Sequence, residues 1–187
     1  MKNIRIIKEN VNVSAIVKQL DQYPNDWSKM TKMASTQFTS KKIHTLLQLI
    51  VGGVSKPGEL SGDTEICMPT PALQRHTEIQ KFITEQKFTN AVCRCAFLKT
   101  SPGNITEKHI DVGKYYETKD RYHLCIAGTY RFNVWDNGDL EFTKEEVIIE
   151  PGTFFWFNNK KNHMAENIGN VERIAFIFDV PMSPNNP

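Results

Sequence analysis

The sequence has no apolar run approaching the roughly 18 residues of a membrane span, no CxxC pair, no internal repeat and no low-complexity segment. Its first residues, "MKNIRIIKEN", break a short apolar run with charges at once, unlike the apolar centre of an export signal. A soluble, unexported, cytoplasmic protein is therefore expected. Charge of one sign is lacking too: 23 lysines and arginines stand against 21 acidic residues, a net of +2, with the signs interspersed. Without a basic patch, neither nucleic acid nor an anionic membrane is an expected partner. Four cysteines, Cys67, Cys93, Cys95 and Cys125, are too sparse for a disulfide scaffold in 187 residues. Cys93 and Cys95 sit in a strand-like run, where small buried side chains are the plain expectation.

What is present is a 40% hydrophobic chain, enough for one sizeable core. We expect a single domain over 1–187, with a mixed, partly helical support over 1–89 and a β core over 90–180. Val13, Ile16, Val17 and Leu20 fall at i, i+3, i+4 and i+7, a helical stripe that must stop before Pro24. A second helix is predicted over "TPALQRHTEIQKFITEQKF", with Thr70 as cap, Pro71 in its first turn, and His76, Ile79 and Ile83 on one face. "KKIHTLLQLIVGG" reads as a strand, and residues 54–69 as an exposed loop bordering an opening. From residue 90 the period becomes two. "NAVCRCAFLKT", "RYHLCIAG", "TYRFNVW", "EEVIIE", "TFFWF" and "ERIAFIFDV" are short β-rich runs split by turn signals, which means a barrel or sandwich. Asn137-Gly138 predicts a tight type I′ hairpin.

The chemistry concentrates in "TEKHIDVG". On an extended segment an HxD pair points both side chains to one side, within reach of one ion. Two histidines and one carboxylate suit ferrous iron and leave part of its coordination sphere open. His163, after the aromatic run "TFFWF", is the candidate third ligand, placed by this reading on a loop. Arg173 follows His163 by ten residues and is a lone charge leading into an apolar run. HxD alone arises by chance in about one such sequence in five; adding the spaced arginine lowers this to about one in a hundred before variable spacing is allowed. A guanidinium can fork onto the far carboxylate of a keto-diacid chelated at the metal, which lysine cannot do. Arg121 and His123 alternate on one strand and share a face, which is either solvent or the barrel interior. Arg94 could receive a substrate carboxylate. Trp156 is expected in the core or a pocket wall, and His44 and His76 in structural roles.

The order "FLKTSPGNITEKHID", "RYHL", "PGTFFWFNNKKNHMAENIGNVERIAFIFDV" resembles the aspartyl/asparaginyl β-hydroxylase family of iron(II)/2-oxoglutarate oxygenases, whose relatives include bacterial proline hydroxylases. The resemblance covers the C-terminal half and hardly touches the first 85 residues. It implies a double-stranded β-helix, a cupin-like jelly roll with flanking helices. It also implies iron(II) on His109, Asp111 and His163, Arg173 on the distal carboxylate of 2-oxoglutarate, and Arg121 and His123 binding the co-substrate or a substrate carboxylate. The implied activity is hydroxylation of an amino acid, free or as an Asp/Asn-type peptide residue, with succinate and carbon dioxide as co-products. Animal peptidyl hydroxylases of the family carry glycine at the position of Asp111, whereas the proline-hydroxylating relatives keep the carboxylate, so Asp111 tilts the expectation towards a smaller substrate. Two other readings stay open: a cupin-like metal enzyme that uses no keto acid, and a non-catalytic jelly-roll binding module.

Overall fold

Short apolar and alternating runs build strands as the main element, and the computed structural model describes residues 2–29, 45–52, 66–137 and 140–186. In chain order the strands are β1 (Ile4–Lys8), β2 (Ser28–Lys29), β3 (Thr45–Gly52), β4 (Cys67–Pro69), β5 (Cys95–Thr100), β6 (Ile105–His109), β7 (Lys119–Ala127), β8 (Tyr130–Trp135), β9 (Lys144–Ile149), β10 (Phe154–Phe157), β11 (Asn162–Asn167) and β12 (Arg173–Pro181). The helices are α1 (Ser14–Gln22), α2 (Pro71–Arg75), α3 (Thr77–Glu85) and the single turn α4 (Lys114–Glu117). No helix among the described residues is long and apolar enough to cross a membrane.

Two antiparallel sheets face each other. The larger runs β1-β10-β7-β12-β5-β3-β2, with β4 on β3, and the smaller runs β6-β11-β8-β9. From β5 onward the chain alternates between the sheets in pairs, β5 and β6, then β7 and β8, then β9 and β10, then β11 and β12, which is the winding of a double-stranded β-helix. The N-terminal part contributes sheet as well as helix: β1 closes one edge against β10, and β3 extends the other against β5.

The central strands of the larger sheet are buried on both faces, which is why they read as nearly unbroken apolar runs. Outward, Tyr122, Leu124, Phe154, Phe176 and Phe178 pack beneath Ile16, Leu20, Ile79 and Phe82 of α1 and α3. Phe82 meets Phe154 edge-on at 5.3 Å, and Tyr122 stacks on Phe178 at 5.4 Å. Inward, Cys125, Phe155 and Phe157 pack with Tyr130, Phe132 and Val134 of the smaller sheet.

The structure corrects three local expectations. The predicted second helix breaks at His76 (φ −100°, ψ 61°) into α2 and α3. Its ring is buried and Nε2 lies 3.0 Å from Asp26 Oδ2, a structural role as expected. Thr70 does not cap; its hydroxyl donates to Gln48 O on β3. The β8–β9 connection is no two-residue hairpin, because Trp135 pairs with Lys144 and residues 136–143 lie between. Gly138, His44 and most of the loop read over 54–69 lie outside the described residues.

Candidate metal centre

The open end of the barrel collects the polar residues. His109 ends β6 and His163 sits on β11, directly opposite each other in the register of the smaller sheet. Their rings are 4.2 Å apart. His163 is thus a strand residue rather than the loop residue expected. Asp111 lies two residues past β6, and its N–H donates to Asn159 O, tying this segment to the β10–β11 connection. One ligand atom from each of His109, Asp111 and His163 falls within 4.8 Å of the others.

Each histidine is oriented by its own backbone. Nδ1 of His109 lies 2.6 Å from Glu107 O, and Nδ1 of His163 lies 2.9 Å from Lys161 O. A carbonyl can only accept, so Nδ1 carries a proton, and in the neutral ring this tautomer leaves the Nε2 lone pair for a metal. Burial pushes the His163 imidazole down to about 4, so it is neutral, as ligation requires. At Asp111 burial pushes the carboxyl up, but Arg121, His163 and His109 together outweigh it and hold it below the ordinary carboxylate value. The donor set of two imidazoles and one carboxylate fits a divalent metal such as iron(II).

Behind the triad lies a cavity of about 120 Å³ lined by Thr106, His123, Phe132, Phe157, Ala165 and Arg173 among others. Arg173, at the start of β12, is only 1% exposed. Its Cζ stands 4.1 Å over the Tyr130 ring, yet Nε and Nη1 have no hydrogen-bond partner among the described residues. Gly128 (φ +75°) in the β7–β8 turn lets that turn approach so closely that a Cβ there would lie 2.8 Å from Arg173 Cα. His123 projects from β7 into a box of Phe132, Phe155 and Phe157, with ring centroids 5.0 to 5.6 Å away. Burial, then Arg173 and Arg121, hold it well below the ordinary histidine value, and its Nδ1 is also unpartnered.

The structure thereby resolves the two-faced strand β7. Its Arg121, His123 and Cys125 face the barrel interior, and Tyr122, Leu124 and Ile126 face the helices. Both faces are inside, one lined by charged and polar side chains around the cavity and one apolar. Arg121 lines the cavity but is also bound within the protein: Nε and Nη2 donate to Asp179 Oδ1 and Oδ2 at 2.8 and 3.0 Å. Its Nη1 lies 2.8 Å from Asp111 Oδ2, an ion pair without hydrogen-bond alignment.

Arg94, the expected receiver of a substrate carboxylate, and Trp156, expected in the core or a pocket wall, both lie away from this cavity. Trp156 falls on the outward face of β10, between inward Phe155 and Phe157, and its Nε1 donates to Asp120. Arg94 stacks at 3.5 Å over Tyr115 and does not line the cavity. Sequence reasoning missed Asp179, Tyr116 and Thr106. Asp179 is a charge ending an apolar strand, a signal that was visible; Thr106 and Tyr116 carried none.

No protein-family model matches the chain, and no curated protein matches it. Solved structures do. An oxidoreductase of the 2OG-Fe(II) oxygenase family from Burkholderia pseudomallei aligns at TM-score 0.63 and 10% identity, over 96% of this chain and 85% of that one. A protein described as a predicted oxalate decarboxylase, from Thermotoga maritima, aligns at TM-score 0.46 and 14% identity, over 83% of this chain and 92% of that one. At such identities the first likeness establishes the fold, and the second is too loose to add to it.

Proposed function

We propose that this chain is an iron(II)- and 2-oxoglutarate-dependent dioxygenase that hydroxylates an amino acid, free or as an Asp- or Asn-type residue of a peptide. The observation that carries the reading is Arg173. A guanidinium that is 1% exposed, with Nε and Nη1 unpaired, is costly to bury unless an anion completes it. It lines the same cavity as the His109, Asp111 and His163 triad. A ligand that chelates a metal at one end and carries a carboxylate at the other satisfies both at once, and 2-oxoglutarate has that form. The likeness in fold to an iron(II) oxygenase agrees with this reading.

Each residue then has a task. His109 and His163 present Nε2 to the metal, with their tautomers set by Glu107 O and Lys161 O. Asp111 supplies the third donor. Arg173 forks onto the distal carboxylate, held in place by Tyr130 and the close turn at Gly128. Phe132 and Phe157 keep water from the cavity, which strengthens the ion pair formed inside it. Bound at the triad, iron(II) with 2-oxoglutarate and dioxygen supplies the oxidation, yielding succinate, carbon dioxide and a hydroxylated substrate C–H. Retention of Asp111 favours a small amino acid over a large peptide as substrate, on the family resemblance.

The test is an anaerobic titration of metal-free protein with iron(II), then 2-oxoglutarate, followed by the weak visible absorption of the chelate. Wild type should develop the band. Asp111→Ala and His163→Ala should bind no iron, and Arg173→Ala should bind iron but lose about 2–5 kcal/mol of 2-oxoglutarate affinity. Tight co-substrate binding by Arg173→Ala would show that the clamp is assigned wrongly.

A further inference from the structure

The Arg121 guanidinium is shared between two buried carboxylates, and the geometry of that sharing bears on the metal. Asp179 takes the edge formed by Nε and Nη2 with both of its oxygens. Arg121 and Asp179 are directly opposed across β7 and β12, so the pair is built into the register of the larger sheet. The Tyr116 ring lies 4.8 Å from Arg121 Cζ and covers it. With that edge taken, Nη1 is turned to Asp111, 2.8 Å from Oδ2. The other oxygen, Asp111 Oδ1, faces the histidines, 3.8 Å from His109 Nε2. Side-chain exposures of 3% at Asp111 and 1% at Asp179 mean that little water competes for these contacts.

We propose that Asp179 is a positioning residue for the metal-binding carboxylate: by gripping Arg121 it keeps Asp111 Oδ2 engaged and presents only Oδ1 to the ion. Asp111 then binds through one oxygen, which leaves more of the coordination sphere to ligands. Asp179 also offsets the arginine's charge. Without it the full charge of Arg121 falls on Asp111 and competes with the metal for the same carboxylate. Arg121 accordingly serves Asp111 rather than acting as a bidentate clamp for a ligand carboxylate. The proposal rests on the reading of Asp111 as a metal ligand.

Cobalt(II) alone, titrated into metal-free protein, tests it, because its d–d absorption reports the number and geometry of ligands without turnover. Wild type should bind one cobalt(II); failure to do so would remove the metal reading itself. Asp179→Asn should bind about 10- to 100-fold more weakly, the range for losing an outer partner of a metal ligand, with an altered d–d spectrum. Asp179→Glu should recover part of both. A lower melting temperature with unchanged affinity and spectrum would make Asp179 merely structural and overturn the proposal while leaving the metal site standing. If Asp179→Asn does not fold, Arg121→Lys decides. Lysine keeps the charge but cannot bridge both carboxylates, so the same weakening is expected, and wild-type affinity would overturn the idea.

Discussion

The two faces of β7 differ by one residue in register and by everything in chemistry. Tyr122, Leu124 and Ile126 look outward onto the helices, flanked in the same sheet by Phe154, Phe176 and Phe178, and the contacts there are apolar and aromatic. Arg121, His123 and Cys125 look inward, where Arg173 and His123 hold buried nitrogen atoms that nothing in the described protein satisfies. The outer face contributes stability by removing apolar surface from water. The inner face gives some of it back to keep a cavity charged and ready, as sites of function commonly do. Substitutions on the two faces should therefore separate folding from binding.

The largest effect belongs to the outer face. Phe178→Ala removes a fully buried ring that touches Phe88, Tyr122, Phe154 and Phe176, and should lower the unfolding free energy by about 3–5 kcal/mol in denaturant titration. Metal affinity of the fraction still folded should be unchanged. The inner face should respond with the opposite sign. Arg173→Met deletes an unpaired buried cation while keeping its packing, so the ligand-free protein should gain about 1–2 kcal/mol, several degrees in melting temperature, as it loses the response to 2-oxoglutarate. A fall in melting temperature would mean that the contact with Tyr130 outweighs the unpaired charge.

Acid divides the faces a third way. Burial holds His76, His123 and His163 below the ordinary 6.5, His163 to about 4. As pH falls through 6.5 the unfolded chain takes up protons that the folded chain refuses, so stability of the metal-free protein is fully present above about pH 7.5 and declines towards pH 4. Each histidine contributes at most about 1.4 kcal/mol per pH unit. Replacing both His123 and His163 by glutamine should flatten most of that slope, leaving the outer His76 share. The smallest effect is predicted for Trp156→Phe, which loses the hydrogen bond to Asp120, about 1 kcal/mol, with cobalt(II) affinity unchanged. A changed affinity would place Trp156 in the site after all.

The outer face was also the easier to read. Strands such as "ERIAFIFDV" announce themselves because both of their faces are buried. HxD, His163 and Arg173 were legible because the chemistry restricts which residues can serve, and the structure brings all four to one cavity. Strand β11, "NHMAEN", was not. Its inward positions are His163, which serves the site, the small Ala165 of the inner core, and Asn167, whose amide donates to Thr100 O and Val171 O, so the period-two apolar signal is missing. The pairing of Arg121 with Asp179 depends on β7 lying beside β12, a neighbourhood set by tertiary winding, and no local pattern encodes it. His76 broke its helix for a similar reason, since a partner 50 residues away holds its ring.

The cross-strand placement of the two histidines reaches beyond catalysis. Among the described residues strand β6 is an end strand of the smaller sheet, every residue of it is only half-buried, and its pairing with β11 slips between His163 and Ala165. An ion gripped by His109, Asp111 and His163 would act as a clasp across that margin, joining the hem of the barrel to its middle. Hydrogen exchange of the β6 amides would then be a gauge of metal loading, slow with the clasp shut and fast when a chelator opens it.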